Sequence, residues 1–490
     1  MNRLKEIMSK ADAFLHTDYY LAIVGITVFL SWLLHIEAVG FCLLAVYVIV
    51  TLFCCEDALP AFVPILTFVF AMSGFFNPET YSRGVIVLFA CLAVLAIGGF
   101  IWFFIRNKIR LKLGKQFWFF LAMFIAFLIS GLGNPDAVFE KSIPLTIAFG
   151  GGAFLAYFFF VNSVTKRDNV YFAKIFFYIA LILLFELIIC HTVIIPSSSS
   201  EPHFKLNINL GWGISNNVGS ILLLTIPLTC YLAVKDEKFS IVYIVAVIMQ
   251  YLAIFLTMSR GSIIFAMAGL PFLFAFTMWK TKKRKEIIIA TVITVILAGI
   301  VFIIFKDKLL SIVGDTWAYG VSSVGRDKRY AMAIEHFKRF PILGLGVFFT
   351  PETGAMFWYH NTFLQFLSSA GIVGAFTYIA YSVNKFRILI IKGDIINKFI
   401  LFGMVMWTCY SAMMDCGSFL ISQVFLVVAL LAYAEKNVES EDGKQAGEAQ
   451  IKTVESKIAV DSNESSEMQD EQPEEVETKQ KPEEGTPTES

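Results

Sequence analysis

Arg260, Arg326 and His360 are the residues of this chain whose types and settings offer chemistry. Arg260 stands in "FLTMSRGSIIFAMAGL" (255–270), where two long apolar runs meet. A guanidinium at a helix N-terminus opposes the macrodipole, which prefers anions there. Beside hydrocarbon it carries a further cost of roughly 2.5–3.5 kcal/mol if it reaches the bilayer centre. A bound anion would offset both terms. Backbone N–H groups opening a helix at 260, the Ser259 hydroxyl and the Arg260 guanidinium would form such a site, and guanidinium forks match phosphate oxygens bidentately. His360, in "FWYHNTFLQF" (357–366), is one of six histidines. An imidazole there can take a proton near neutral pH. A lone histidine more often supports structure, but this one stands with two arginines that need explaining.

Arg326 opens "GRDKRYAMAIEHFKRF" (325–340), a stretch with helical periodicity that stops at Pro341. Advancing 100° per residue from Arg326, the arc around it holds Tyr330, Ala333, Ile334, Phe337 and Phe340. The opposite arc holds Asp327, Lys328, Glu335, Lys338 and Arg339. Arg326 therefore sits on the apolar stripe of an amphipathic helix. A snorkelling arginine on an interfacial helix would look the same, yet solvated basic positions were free on the other face. Arg326 could complete the anion site from above.

The elements that hold these residues are membrane spans. Hydrophobic residues make up 57% of 490, Phe alone contributes 50, and charged residues are only 16%. Runs such as 20–34 and 84–105 approach or reach the ~20 residues that cross a bilayer. Fourteen apolar segments can be read, near 18–35, 39–55, 57–75, 84–105, 116–132, 142–163, 171–195, 214–234, 239–257, 260–279, 286–305, 357–382, 396–414 and 417–434. The fold class is thus all-α and polytopic, with about 12–14 transmembrane helices. The basic loops "IRNKIRLKLGK" (105–115) and "KTKKRKE" (280–286) fall on one side, which sets that side in the cytoplasm. Both termini then lie in the cytoplasm, and Arg260, Arg326 and His360 at the outer face. One external loop, 306–356, is far longer than the rest, and long loops are usually functional. No inverted or parallel repeat is evident, which argues against a transporter.

The expected organisation is a cytoplasmic N-terminus (1–17), a membrane domain (18–434) and an acidic tail (435–490). No cleavable signal is apparent at the start. From Glu435 onward there are 17 acidic and 6 basic residues, a balance of −11, so the membrane part carries +11. The tail lacks aromatics and reads as disordered. The eight cysteines lie in or near apolar runs without CxxC or metal-ligand spacing, and read as packing residues. Glu186 and His191 fall within a span, where ionisable groups are functional by default. Five residues apart, they are offset by about 140° and need not share a face. No carboxylate pair of DxD type appears in the external segments, and Asp315, Asp327 and Glu352 have no telling spacing. No metal and no cofactor are expected, and no nucleic-acid partner.

An ordered set of short motifs resembles the O-antigen ligase and polysaccharide polymerase superfamily of bacterial envelopes. The pieces are "GWGISNN" (211–217) before a span, "SRG" (259–261), "GRDKRY" (325–330) followed by "FPILGLG" (340–346), and "HN" (360–361) followed by "GIVG" (371–374). The resemblance implies a membrane glycosyltransferase of the GT-C type in the bacterial plasma membrane. Its donor would be an oligosaccharide on undecaprenyl pyrophosphate at the outer leaflet, and its acceptor a glycan or lipid. Carried over by motif, Arg260 and Arg326 would hold the pyrophosphate and His360 would be the catalytic base. Ser259, Asn361, Asn217 and Tyr330 would support them; the family often has Trp in place of Tyr330. Direct displacement would invert the anomeric centre. The motifs serve a polymerase and a ligase alike, with polymerase preferred and other polysaccharide-assembly proteins as partners. A lipid-linked sugar flippase or exporter is the alternative of a different class.

Overall fold

Hydrocarbon offers no partner for backbone N–H and C=O groups, so a chain with this composition must satisfy them inside helices. The computed structural model describes residues 2–71, 83–164, 168–194, 208, 210–318, 324–347, 357–391, 393–413 and 423–436. Its helices are α1 (Asn2–Leu15), α2 (Asp18–Leu33), α3 (Glu37–Cys54), α4 (Leu59–Ala71), α5 (Arg83–Arg106), α6 (Phe117–Leu128), α7 (Phe139–Thr146), α8 (Gly152–Ser163) and α9 (Asn169–Ile189). They continue with α10 (Ser215–Lys235), α11 (Ser240–Leu256), α12 (Arg260–Lys280), α13 (Arg284–Ala318), α14 (Val324–Arg339), α15 (Thr362–Ile390), α16 (Ile395–Met413) and α17 (423–436). Five-residue π-helical stretches join α7 to α8 (Ile147–Gly151) and extend α9 (Cys190–Ile194). Among the described residues there is no β-strand.

Each of the fourteen apolar runs coincides with a helix. Among the described residues, seven are long and apolar enough to cross a bilayer: α3, α5, α9 with its π turn, α10, α12, α15 and α16. The pair α1–α2, bent by 71°, would make an eighth. The runs at 57–75, 116–132, 142–163 and 239–257 form shorter apolar helices. Proline explains one of these: Pro144 and the π stretch after it break the run at 142–163. The chain is an all-α polytopic membrane protein. The helix over 286–305 runs on to Ala318, well into the segment expected as loop from 306. Glu435, at the expected start of the tail, is buried in α17, where the Tyr157 hydroxyl donates to its carboxylate at 2.6 Å. The tail beyond 436 lies outside the described residues.

Helix α10 is the axis of the bundle. Leu, Ile and Val surround it on all sides, as a helix without a polar face requires, and every residue from Val218 to Val234 is buried. It packs against α9, α11, α12 and α16, while α15 packs on α6, α14 and α16. The chain direction therefore gathers the starts of α10, α12 and α15 at the end of the bundle where α11 and α16 finish. The hydrogen bonds at that end define the candidate site.

Candidate functional site

The last turn of α16 joins the two halves of the site. On one side, the Tyr410 hydroxyl donates to the Asn216 carbonyl at 3.2 Å. Asn216 in turn accepts from the Ser259 hydroxyl through Oδ1 at 3.0 Å. On the other side, Thr362 Oγ1 donates to the Ser411 carbonyl at 2.9 Å and lies 2.6 Å from its hydroxyl. The Tyr330 hydroxyl bridges the Met413 carbonyl (3.0 Å) and the His360 carbonyl (3.3 Å). A continuous set of contacts thus runs from the start of α12 through α10 and α16 to α15 and α14. The motifs "GWGISNN", "SRG", "GRDKRY" and "HN" meet at one end of the bundle.

Arg260 is half-buried in the first turn of α12, directly after its N-cap Ser259. Ser259 is fully buried. Its hydroxyl makes no cap bond and engages Asn216 and, at 3.0 Å, Ser262. This corrects the sequence reading, which aimed that hydroxyl at an anion: Ser259 locks α12 to α10. Asn217 accepts from Gln423 Nε2 at 3.5 Å, and Gln423 accepts from the Trp407 indole at 2.8 Å. Asn361 caps α15, its Oδ1 accepting from the Leu364 N–H at 2.9 Å. Asn361 thus closes the start of α15, and Asn217 ties α10 to α17.

Two non-glycine residues at this end hold a left-handed backbone: Met258 and His360, each at φ 55°. Each immediately precedes an N-cap, Ser259 and Asn361. Such conformations carry strain of order 1–3 kcal/mol and persist where the surroundings over-determine them. His360 is half-buried, with its carbonyl held by Tyr330.

Helix α14 presents Arg326, Arg329, Tyr330, Ala333, His336, Phe337 and Phe340 on its half-buried or buried face. Asp327, Lys328, Glu335, Lys338 and Arg339 are exposed, as expected. Ile334, placed by periodicity on the packed arc, is 44% exposed, while His336 is buried. The stripe is therefore rotated toward Arg329 and His336, and Arg326 stays on it, one turn before Tyr330. The rotation has a polar cause. Arg329 Nη1 donates to the Trp358 carbonyl at 2.9 Å, and His336 Nδ1 lies 2.6 Å from the Tyr359 hydroxyl. These two contacts fasten α14 to the residues immediately before His360.

The glycine motifs prove to be one device. Helix α15 is broken at Gly371 (φ 64°, ψ −159°). The segment from Pro341 to Gly346 enters the break. Ile372 N–H donates to the Pro341 carbonyl at 2.9 Å and Val373 N–H to that of Ile342 at 3.4 Å. Leu345 and Gly346 N–H groups donate to the Ser368 and Ser369 carbonyls at 2.9 and 3.0 Å. A Cβ on Gly371 would stand 2.2 Å from the Ile342 oxygen, and one on Gly344 2.4 Å from the Ser369 carbonyl. Loop backbone thus replaces the helical partners lost at the break, as buried non-helical backbone requires.

Sequence reasoning missed Tyr410, Ser411, Thr362, Asn216 and Gln423, all polar residues inside apolar runs. Extending to every polar residue the attention given to the ionisable Glu186 and His191 would have found them. His191 Nε2 donates to the Leu256 carbonyl at 2.8 Å, tying the end of α9 to that of α11. Glu186 is fully buried beside the Trp212 indole of "GWGISNN".

Residues 244–379 match the family model described as O-Antigen ligase. No curated protein matches the chain. The matched stretch begins in α11 and ends in α15, so it encloses Arg260, Arg326, His360 and the docked 341–346 segment. The match over 244–379 supports placing this multi-pass membrane protein with the O-antigen ligase and polysaccharide polymerase superfamily.

Proposed function

We propose that the chain is an inverting membrane glycosyltransferase of the bacterial plasma membrane, with both termini cytoplasmic. It polymerises a surface polysaccharide from an undecaprenyl-pyrophosphate-linked glycan at the outer leaflet. The observation that supports this best is the convergence of three helix starts (α10, α12 and α15) with the Arg326 face of α14 around the last turn of α16. Helix N-termini favour anions, and Arg260 and Arg326, both half-buried at this end, suit a pyrophosphate.

In this reading the arginines and the first-turn N–H groups of α12 hold the donor pyrophosphate. The acceptor hydroxyl gives its proton to the His360 imidazole as its oxygen attacks the anomeric carbon. The bond from that carbon to the pyrophosphate oxygen breaks on the opposite face. The electron pair leaves with the pyrophosphate, whose growing charge the guanidiniums stabilise. The leaving group is already a stable anion, so no strong general acid is needed. The description of the matched family favours a second reading, a ligase that transfers the glycan to a lipid or wall acceptor. The chemistry is common to both and only the acceptor differs.

Purified protein given lipid-linked donor alone separates the readings. A polymerase lengthens the glycan; a ligase turns over only when a second acceptor is added; a flippase makes no new glycosidic bond. General-base assistance contributes typically 10²–10⁴-fold, so His360→Ala should lose turnover on that scale while still binding donor. Arg260→Ala should weaken donor binding itself. Normal turnover by His360→Ala would refute the assignment of the base.

A further inference from the structure

At the opposite end of the bundle three side chains converge that the proposed reaction does not use. Asp12 lies in the last turns of α1, His16 follows four residues later just past the helix end, and Cys55 caps the C-terminus of α3. One ligand atom from each lies within 4.8 Å of the others. His16 Nδ1 is 2.9 Å from the Asp12 carbonyl and 3.4 Å from Asp12 Oδ1, an enclosed oxygen that shares the cluster with the Cys55 thiol. The cluster is remote from His360 by chain direction. Helix α9 starts beside it, with the Tyr171 hydroxyl donating to the Leu15 carbonyl at 2.7 Å, and finishes at the other end, where His191 meets Leu256.

We propose that Asp12, His16 and Cys55 form a binding site for a divalent cation of the zinc class, stapling α1 to the end of α3. A thiolate, an imidazole and a carboxylate are the donor set of zinc, whereas magnesium and calcium take oxygens. With bonds of about 2.0–2.3 Å, tetrahedral zinc separates its ligands by roughly 3.3–3.8 Å. The observed spacing needs only a side-chain adjustment to reach that. The donors stand on held backbone. Cys55 N–H donates to the Thr51 carbonyl at 2.9 Å. Its own carbonyl accepts from Arg106 Nη2 at 2.6 Å, and the same guanidinium reaches the carbonyls of Phe53 and Cys54. Arg106 therefore faces the helix end, and Asp57, two residues on, adds a second carboxylate nearby. The side chains of His16 and Asp12 are 30% and 28% exposed, which leaves an entry route and room for a fourth ligand from solvent. Spacing along the sequence could not reveal this site, because Cys55 is far from the other two and only the fold brings it in.

The test uses the full-length protein in detergent, titrated with cobalt(II) and then zinc(II). The parent should bind one equivalent of cobalt with a thiolate-to-metal charge-transfer band in the near ultraviolet. Zinc should displace the cobalt and bleach that band; a large excess of magnesium should not. Cys55→Ser should abolish the band, and His16→Gln should weaken binding by about 100-fold or more, at least the 10–100-fold loss typical of outer-shell changes. Cys42→Ser, on the body of α3, should leave the band unchanged. The parent spectrum decides even if a variant misfolds. Absence of the band in the parent at saturating cobalt, or its survival in Cys55→Ser, overturns the proposal.

Discussion

Replacing Gly371 by alanine should detach the segment that carries α14 into place, and the cost can be worked from three observations. Its backbone, at φ 64° and ψ −159°, lies in a region essentially reserved for glycine. The strain of holding alanine there is about 1–3 kcal/mol. The new methyl would also meet Ile342 O at 2.2 Å, Ile342 C at 2.4 Å and Leu343 N at 2.7 Å. These are backbone atoms, which cannot turn aside as a flexible side chain would. Relief requires the 341–346 segment to lift away, losing the bonds from Ile372 and Val373 at about 1 kcal/mol each. The local penalty is therefore about 3–5 kcal/mol, comparable to the whole stability of a docked loop. Because Ser368 Oγ also donates to the Ala333 carbonyl at 2.8 Å, lifting the segment loosens α14, and with it Arg326 and Tyr330. Gly371→Ala in membranes should lose most polymer formation and gain protease cleavage within 341–347. Gly98→Ala, in α5 with open space around its Cβ, should do neither, since alanine is favoured by ~1 kcal/mol in a helix. Parental turnover and unchanged cleavage in Gly371→Ala would refute the idea that loop backbone completes the broken helix.

The remaining expectations follow from the same end of the bundle. Arg326→Lys should impair turnover strongly, because a bidentate fork is replaced by a point charge, while Lys338→Ala on the exposed arc should be mild; equal effects would sink the face assignment. Asn361→Ala should destabilise the start of α15 by ~1 kcal/mol and Asn361→Asp should restore it, read as thermal stability in detergent. Removing 437–490 should leave polymer formation intact at normal protein levels, since that segment is polar, acidic and expected on the cytoplasmic side.

What could be read in the sequence was whatever a single helix decides. Each of the fourteen apolar runs marked a helical stretch, because burial in hydrocarbon acts on each segment alone. The face of α14 was nearly right for the same reason, and it erred where a distant partner intervened. Periodicity centred the stripe on hydrophobic residues, so it admitted Ile334. The contacts of Arg329 with Trp358 and of His336 with Tyr359 turn the helix away from that position. Helix α1 escaped because hydropathy was weighed without moment: Ile7, Met8, Ala11 and Leu15 recur at helical spacing among charges. The break in α15 was illegible in principle, since its hydrogen-bond partners come from a segment some thirty residues upstream.

Ser259 makes the same point about the site. A hydroxyl at an N-cap beside an arginine reads naturally as an anion ligand, and local geometry alone permits it. In the fold a second helix start, that of α10, stands against it, and Asn216 takes the hydroxyl. The consequence is chemical as well as structural. With its N-cap hydroxyl turned inward, α12 keeps first-turn N–H groups without a side-chain cap, next to Arg260. Those groups favour an anion more than capped ones would, because a cap already satisfies part of the donor set. Ser259→Ala should therefore loosen α12 from α10 and lower stability, while Ser259→Asp should act on binding. A carboxylate there would supply the negative charge that the helix start otherwise takes from the donor. Donor affinity should fall for Ser259→Asp well beyond its loss in Ser259→Ala, measured on purified protein with lipid-linked pyrophosphate. Equal affinity in the two variants would mean that the first turn of α12 does not hold the anion.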